Sequence, residues 1–158
     1  MWPPQRPLNP PAPPSSEAMM FAKILHANDG SDHAFKALSL ALDIARQNQS
    51  ELHMVSVEEI PYVPENIEEV REEKGSAARR FHAVFQRANT MAAERSIELK
   101  THILTGHPVR DIVELARELK ADLLVIGASG HSAFYERMIG SRADRLIQLA
   151  PCPVLVVK

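Results

Sequence analysis

Apolar segments that suggest strands alternate with segments of helical periodicity from residue 21 onward, and this alternation limits the fold more than any other feature. Five strands are predicted, and a helix separates each strand from the next. Such alternation is typical of a parallel sheet that carries helices on both faces. The predicted strands are 22–27, 52–57, 98–104, 122–126 and 153–157; the predicted helices follow Ser31 and Pro108 and span 65–96 and 144–149.

The arrangement expected from this pattern is one doubly wound α/β domain over residues 21–158, with a five-stranded parallel sheet of order 3-2-1-4-5. In that order strands one and four are neighbours, and the chain order reverses between them. Ligands of such sheets lie beyond the carboxyl ends of the strands at this reversal. The turns 28–31 and 127–130 follow these two strands, so we expect them to face each other across one crevice.

Helical periodicity also predicts which side chains face the core. The first helix is expected to bury Ala34, Leu38, Ala41, Leu42 and Ala45, the second Ala78, Phe81, Val84, Phe85, Ala88 and Met91, and the third Val109, Ile112, Val113, Ala116 and Leu119.

A glycine pattern stands directly after the fourth predicted strand. Gly127, Gly130, Gly140 and Ser141 have the spacing G-x2-G-x9-G-S. Glycines let backbone N–H groups approach phosphate oxygens, and a following helix N-terminus adds its positive dipole. Ser141 adds a hydroxyl group, so the pattern predicts a phosphorylated ligand. The alternative is that these glycines serve only tight turns and close packing.

Composition excludes several classes of protein. The net charge of -2 gives no support to a general nucleic-acid binder. No apolar run approaches the length of a membrane span. Cys152 is the only cysteine, so no disulfide can form within the chain, which fits the reducing cytoplasm. The six histidines other than His131 show no metal-ligand spacing, and no resident metal is predicted.

A proline-rich leader precedes the domain. Residues 1–16 (MWPPQRPLNPPAPPSS) hold seven of the 12 prolines, and residues 1–20 are expected to be extended or disordered. Prolines occupy the place of the apolar core that a signal peptide needs. The segment could be a docking peptide, a linker, or a stretch upstream of a true start at Met19 or Met20.

Three stretches resemble the universal stress protein family in its nucleotide-binding branch, and the resemblance covers Lys23 to Lys158. KILHANDGSDHAFKALSLALDIA is similar to the first strand, acidic turn and helix of that family. GHPVRDIVELARELKADLLVIGASGHSAF is similar to its third crossover and fourth strand, and IGSRADRLIQLAPCPVLVVK to its closing segment.

The resemblance implies ATP as the ligand, bound with a divalent ion such as Mg²⁺. Asp29 would hold the ribose, although it could instead cap the first helix. The backbone of Ala27 and Asn28 would face the adenine, and Val57 and Ile126 would wall the base. The residues implied at the triphosphate are Gly127, Gly130, Gly140 and Ser141. Beside them, His131 follows the glycine turn and could either donate to a phosphate or be an exposed loop residue, and Arg142 could donate if it turns inward.

Two departures from the family pattern concern this site. Ala27 and Asn28 stand where the family often has proline and then threonine or valine. Arg142, Ala143 and Asp144 stand where it often has valine, a hydroxyl residue and glutamate. Ala143 removes a hydroxyl group that could bind phosphate, and Arg142 could offset that loss by its charge.

The function expected from these features is an ATP-binding signalling module with little turnover, acting as a cytoplasmic homodimer that pairs through strand five, Val154–Val157. The chain lacks the P-loop pattern G-x-x-x-x-G-K-[ST], and no motif places a base for attack by water, so no catalytic residue is predicted. Two alternatives stay open: an ATPase or adenylyl-transferring enzyme on the same site, and a regulatory dimer that binds no nucleotide.

Overall fold

The computed structural model describes residues 20–59, 67–128 and 141–158, and for residues 67–77 it describes the backbone alone. The leader, residues 1–19, therefore lies outside the described part of the chain. The strands are β1 (Lys23–Ala27), β2 (Glu51–Glu59), β3 (Leu99–Gly106), β4 (Leu123–Gly127) and β5 (Val154–Val157). The helices are α1 (Asp32–Asn48), α2 (Ile67–Ala93), α3 (Pro108–Leu119) and α4 (Ser141–Leu149).

The five strands form one parallel sheet in the order β3-β2-β1-β4-β5, which confirms the predicted fold class and strand order. β1 is the central strand, paired with β2 on one side and with β4 on the other. The observed elements match the predicted ones to within a few residues. The largest shifts are of three residues: α2 ends at Ala93 rather than at residue 96, and α4 begins at Ser141 rather than at residue 144.

Two apolar clusters, one on each face of the sheet, make the core. Ile24 and Leu25 are adjacent in β1, so their side chains leave opposite faces and join different clusters. Residues of α1 and α2 complete the first cluster, and residues of α3 and α4 complete the second. All five predicted core residues of α1 are buried. On α3, Leu115 is buried in addition to the predicted Ile112, Val113 and Ala116.

One predicted core residue, Ala78, is wrong because its side chain is exposed. Among the side chains of α2 that the structure describes, from residue 78 onward, the buried ones are Phe81, Ala88 and Ala92. Periodicity predicts which face of a helix is buried, but not how deeply each residue of that face is buried.

The helices after β1 and β3 begin at the carboxyl edge of the sheet and end at its amino edge. Ser31 caps α1, because its side chain accepts a hydrogen bond from the N–H of Ala34 at 3.2 Å. Pro108 opens α3, and Asp111 accepts a hydrogen bond from the N–H of His107 at 2.9 Å. None of the helices in the described ranges is long and apolar enough to cross a membrane.

Candidate functional site

The carboxyl ends of β1 and β4 are neighbours, and the chain order of the sheet reverses between these two strands. The turn 28–31 follows β1, and Gly127 and Ala128 end β4 at the same edge. The first helical turn of α1 lies against the end of β4, because Gly127 packs closely on the backbone of His33 and Ala34. Of the predicted ligand residues, Gly130, His131 and Gly140 lie outside the described residues.

Asn28 anchors the turn after β1. Its N–H donates to Val55 O at 2.9 Å, and its carbonyl accepts a hydrogen bond from Ser56 Oγ at 2.6 Å. Its Oδ1 accepts from the N–H of Gly30 at 2.8 Å. The residue is 3% exposed, and its Nδ2 has no hydrogen-bond partner within the described part of the chain. Buried polar atoms are nearly always paired, so this donor marks the turn as unusual.

Asp29 is exposed in the same turn, and its Oδ1 accepts a hydrogen bond from the N–H of Ser31 at 2.9 Å. The alternative that Asp29 caps α1 is wrong, because Ser31 is the N-cap. An ionised carboxylate has room for about four hydrogen bonds. Asp29 can therefore hold its own turn and still accept hydrogen bonds from ligand hydroxyl groups.

Glycine is favoured at two positions of this edge, at one by the backbone conformation and at the other by close packing. Gly30 has φ of +83°, a region that favours glycine. At Gly127, a Cβ would lie 2.8 Å from the carbonyl carbon of His33 and 3.0 Å from the N atom of Ala34. Close packing against the start of α1 thus accounts for Gly127. Its contact with phosphate stays a prediction.

The predicted apolar walls lie on the face that α3 and α4 cover. Ala27 and Val57 are half-buried and pack against that cluster, whereas Ile126 is 3% exposed and belongs to the cluster itself. Val57 therefore offers more surface to a ligand than Ile126 does.

The first turn of α4 carries the other predicted ligand residues. Ser141 and Arg142 are exposed, whereas Ala143 is 6% exposed and packs into the core. Position 143 faces the protein interior, so the alanine is explained by packing and not by a lost phosphate contact. The Arg142 guanidinium forms an ion pair with Glu59 at the end of β2. A second ion pair joins Arg80 of α2 to Glu58.

His26 lies beneath this edge and is fully buried. Its Nδ1 is 2.9 Å from Val125 O and must donate to that carbonyl, which leaves Nε2 as the acceptor of a neutral ring. Nε2 has no hydrogen-bond partner among the described residues. Burial lowers the pKa of His26 to about 4, despite the opposing effects of the Val125 carbonyl and of Asp29.

Sequence reasoning missed Glu58, Glu59 and Arg80. Two acidic residues at the end of a buried strand were a usable signal, because consecutive strand residues point to opposite faces and can reach helices on both sides. The arginine partners could not be assigned without the packing of α2 and α4.

An open cleft of about 630 Å³ lies at the opposite edge of the sheet, between the C-terminal ends of α1 and α2. Arg46, Ser50, Arg95 and Ser96 are among its lining residues. Helix C-termini present carbonyl groups and a negative dipole end, which disfavours phosphate. No group of three or more potential metal ligands occurs among the described residues.

The comparisons with known proteins agree on one family. The model of the universal stress protein family matches residues 20–158. Universal stress protein YxiE of Bacillus subtilis is 35% identical over 151 residues, which cover 88% of this chain and 100% of YxiE.

Solved structures of similar proteins share the fold. The universal stress protein UspA of Lactobacillus plantarum has a TM-score of 0.77 and 30% identity, covering 87% of this chain and 97% of that one. A universal stress protein in complex with cAMP has a TM-score of 0.69 at 27% identity, covering 88% and 98%. The universal stress protein of Archaeoglobus fulgidus in complex with dAMP has a TM-score of 0.62 at 25% identity, covering 88% and 99%.

Proposed function

This chain belongs to the universal stress protein family, and we propose that it binds ATP with Mg²⁺ at the carboxyl ends of β1 and β4 as a signalling module of the cytoplasm with little turnover. The observation that carries the proposal is the turn 28–31 beside the end of β4, at the reversal of the strand order. The cAMP and dAMP complexes of similar proteins support an adenine nucleotide as the ligand class.

The chemistry of the described edge fits the sugar and base of such a ligand. Asp29 supplies an exposed carboxylate that can accept hydrogen bonds from both ribose hydroxyl groups. Ala27 and Val57 supply apolar surface at the ends of neighbouring strands, where a base gains burial energy. The triphosphate would lie toward Gly130, Gly140 and Ser141, as the family pattern implies.

The expectation of low turnover is based on chemical groups that the sequence lacks. No P-loop lysine is present to draw charge from the leaving phosphates. A turnover well above about one per minute that Gly130→Val abolishes would instead establish an enzyme.

Strand β5 supports a homodimer. Among the described strands it pairs with β4 alone, and Val154–Val157 are all half-buried at this edge of the sheet. Ile147 and Leu149 of α4 are exposed at 41% and 48%. An apolar edge strand invites pairing with its own copy. We expect size-exclusion chromatography with light scattering to give a dimer with and without ATP.

One observation favours the alternative of a regulatory dimer that binds no nucleotide. Arg142, expected at the phosphates, is paired with Glu59 instead. A stable dimer that takes up no ATP at millimolar ATP and Mg²⁺ would establish this alternative.

The test of the proposal begins with acid extraction of the purified full chain and a search for released ATP, followed by calorimetric titration with Mg²⁺ and ATP. Gly130→Val should abolish binding with little loss of stability, because a β-branched side chain would block the approach of phosphate to the backbone. Ala22→Val, at an exposed position of the amino edge, is the matched control and should bind as the parent does. ATP binding by Gly130→Val at parental affinity would contradict the placement of the triphosphate.

A further inference from the structure

Two consecutive glutamates at the end of β2 hold arginines from both faces of the sheet. Glu58 pairs with Arg80 of α2, and Glu59 pairs with Arg142 of α4. Side chains of consecutive strand residues leave opposite faces, and α2 and α4 cover opposite faces. The end of β2 therefore contacts one helix on each face of the sheet.

The Glu59–Arg142 pair crosses the end of the central strand. β1 lies between β2 and β4, and α4 follows β4 in the chain. Ala143 and Leu146 pack α4 against the core on the same face of the sheet as α3. Arg142, at the start of α4, pairs with Glu59 across the place where the strand order reverses. The turn 28–31, which contains Asp29, extends from the end of β1 at this same place.

We propose that Glu59 determines how strongly the site prefers phosphorylated adenine ligands, by competing with the phosphate groups for Arg142. The proposal rests on the nucleotide site proposed above and adds a role for a residue outside the predicted ligand set. Arg142 exchanges its carboxylate partner for phosphate when the nucleotide enters. Glu59 thereby weakens the binding of ATP and leaves the binding of adenosine, which lacks phosphate, unchanged.

The energetics allow this exchange. The side chains of Arg142 and Glu59 are 58% and 57% exposed, and an ion pair so open to water adds little stability and breaks easily. A guanidinium binds phosphate through two parallel hydrogen bonds, as it does carboxylate, and a triphosphate carries more negative charge than one carboxylate.

The experiment is calorimetric titration of the full chain with ATP and Mg²⁺, and separately with adenosine. Glu59→Gln keeps the size of the side chain, removes its charge and should tighten ATP binding by about two- to fivefold. Arg142→Gln should weaken ATP binding by roughly tenfold. Neither variant should change the affinity for adenosine.

Two further variants separate the proposed exchange from a general charge effect. In the double variant Glu59→Gln with Arg142→Gln, the gain in ATP affinity from Glu59→Gln should disappear, because the arginine for which Glu59 competes is absent. Glu118→Gln removes one exposed carboxylate from the last turn of α3, at the far edge of the sheet, and should bind ATP as the parent does.

The outcomes distinguish the two proposals. If the parent binds ATP but Glu59→Gln has parental affinity, or keeps its gain without Arg142, the role of Glu59 is overturned and the nucleotide site stands. If Glu59→Gln tightens adenosine as much as ATP, the competition for phosphate is likewise overturned. If the parent binds neither ATP nor adenosine, the nucleotide site fails and the role of Glu59 fails with it.

Discussion

At the amino edge of the sheet, the buried His53 has a partner at both ring nitrogens, whereas at the carboxyl edge two buried polar atoms have no partner within the described fold. Glu51 sits at the centre of the amino edge, 3.3 Å from Lys100 and 3.6 Å from Lys23. His53 is buried there, yet its two ring nitrogens lie 2.8 Å from His102 and 2.5 Å from Glu51. Hydrogen bonds from His53 and Lys100 lower the pKa of Glu51 to about 2.

The carboxyl edge has buried polar side chains that are only partly hydrogen-bonded. His26 and Asn28 are also buried, but His26 Nε2 and Asn28 Nδ2 lack partners among the described residues. The polar groups of the amino edge join β1, β2 and β3 to one another and serve the fold. The carboxyl edge keeps two buried polar atoms that the described fold leaves unpaired, and unpaired polar atoms of this kind are a feature of ligand sites.

The largest effect expected from this contrast is a loss of stability in acid that originates at His26. The pKa of His26 is about 4 in the folded protein and 6.5 when the ring is solvated, so the unfolded chain binds more protons between these values. The stabilisation that the neutral ring provides is fully present above the unfolded-state pKa of 6.5, and it is lost as the pH falls toward the folded-state pKa of about 4. The total loss is about 3 kcal/mol, of which about 2 kcal/mol falls between about pH 7.5 and about pH 5.

His26→Asn tests this expectation. The amide keeps a donor for Val125 O but cannot titrate, so urea unfolding should show a smaller loss from pH 7.5 to pH 5 than in the parent by about 2 kcal/mol. The pKa of His102 is also lowered, by burial and by the nearby His53, but both proteins share that contribution and it cancels. Equal losses in the two proteins would show that His26 does not set the acid sensitivity.

The next effect compares two aspartates that do the same structural work at opposite edges. Asp29 accepts a backbone hydrogen bond from Ser31 at 2.9 Å, and Asp122 accepts one from Lys23 at 2.8 Å. Asp29→Ala and Asp122→Ala should lose similar stability in urea unfolding. Only Asp29→Ala should also weaken ATP binding, by roughly 1–3 kcal/mol through lost ribose hydrogen bonds. Equal ATP affinity in both variants would assign Asp29 to the turn alone.

The sequence predicted the fold closely because each strand and helix carries its own signal. Alternating periodicities predicted the parallel sheet and all nine helices and strands that the structure describes, and helical spacing alone predicted the buried face of α1. Local signals of this kind need no knowledge of distant contacts.

The candidate site was less predictable because its details depend on contacts between distant segments. Whether Asp29 caps α1 could not be decided from the sequence, because Ser31, two positions later, is also a good N-cap residue. In the structure Ser31 is the N-cap. Gly127 carries the spacing of a phosphate loop, yet its closest neighbours are backbone atoms of α1, nearly a hundred residues away. The pairing of Arg142 with Glu59 spans 83 residues and has no local signature.

The smallest effect concerns the turns at the two edges. At the amino edge α1 and α3 end in left-handed residues that are not glycine, Gln49 with φ of 55° and Lys120 with φ of 53°. Gln49→Gly and Lys120→Gly should each stabilise the protein by about 0.5–1 kcal/mol, because glycine adopts this conformation without strain. At the carboxyl edge the reverse change, Gly30→Ala, should destabilise it, since φ is +83° and the new Cβ would lie 3.0 Å from Val84 Cγ2.

Thermal unfolding of the three variants, beside the in-helix control Gln47→Gly, measures these differences. Gln47→Gly should lose about 0.5–1 kcal/mol, which shows that the gain at Gln49 comes from backbone conformation and not from loss of the glutamine side chain. ATP affinity should be unchanged in both amino-edge variants and reduced in Gly30→Ala, whose turn carries Asp29. A change of ATP affinity in Gln49→Gly or Lys120→Gly would mean that the two edges are coupled. It would contradict the assignment of ligand binding to the carboxyl edge alone.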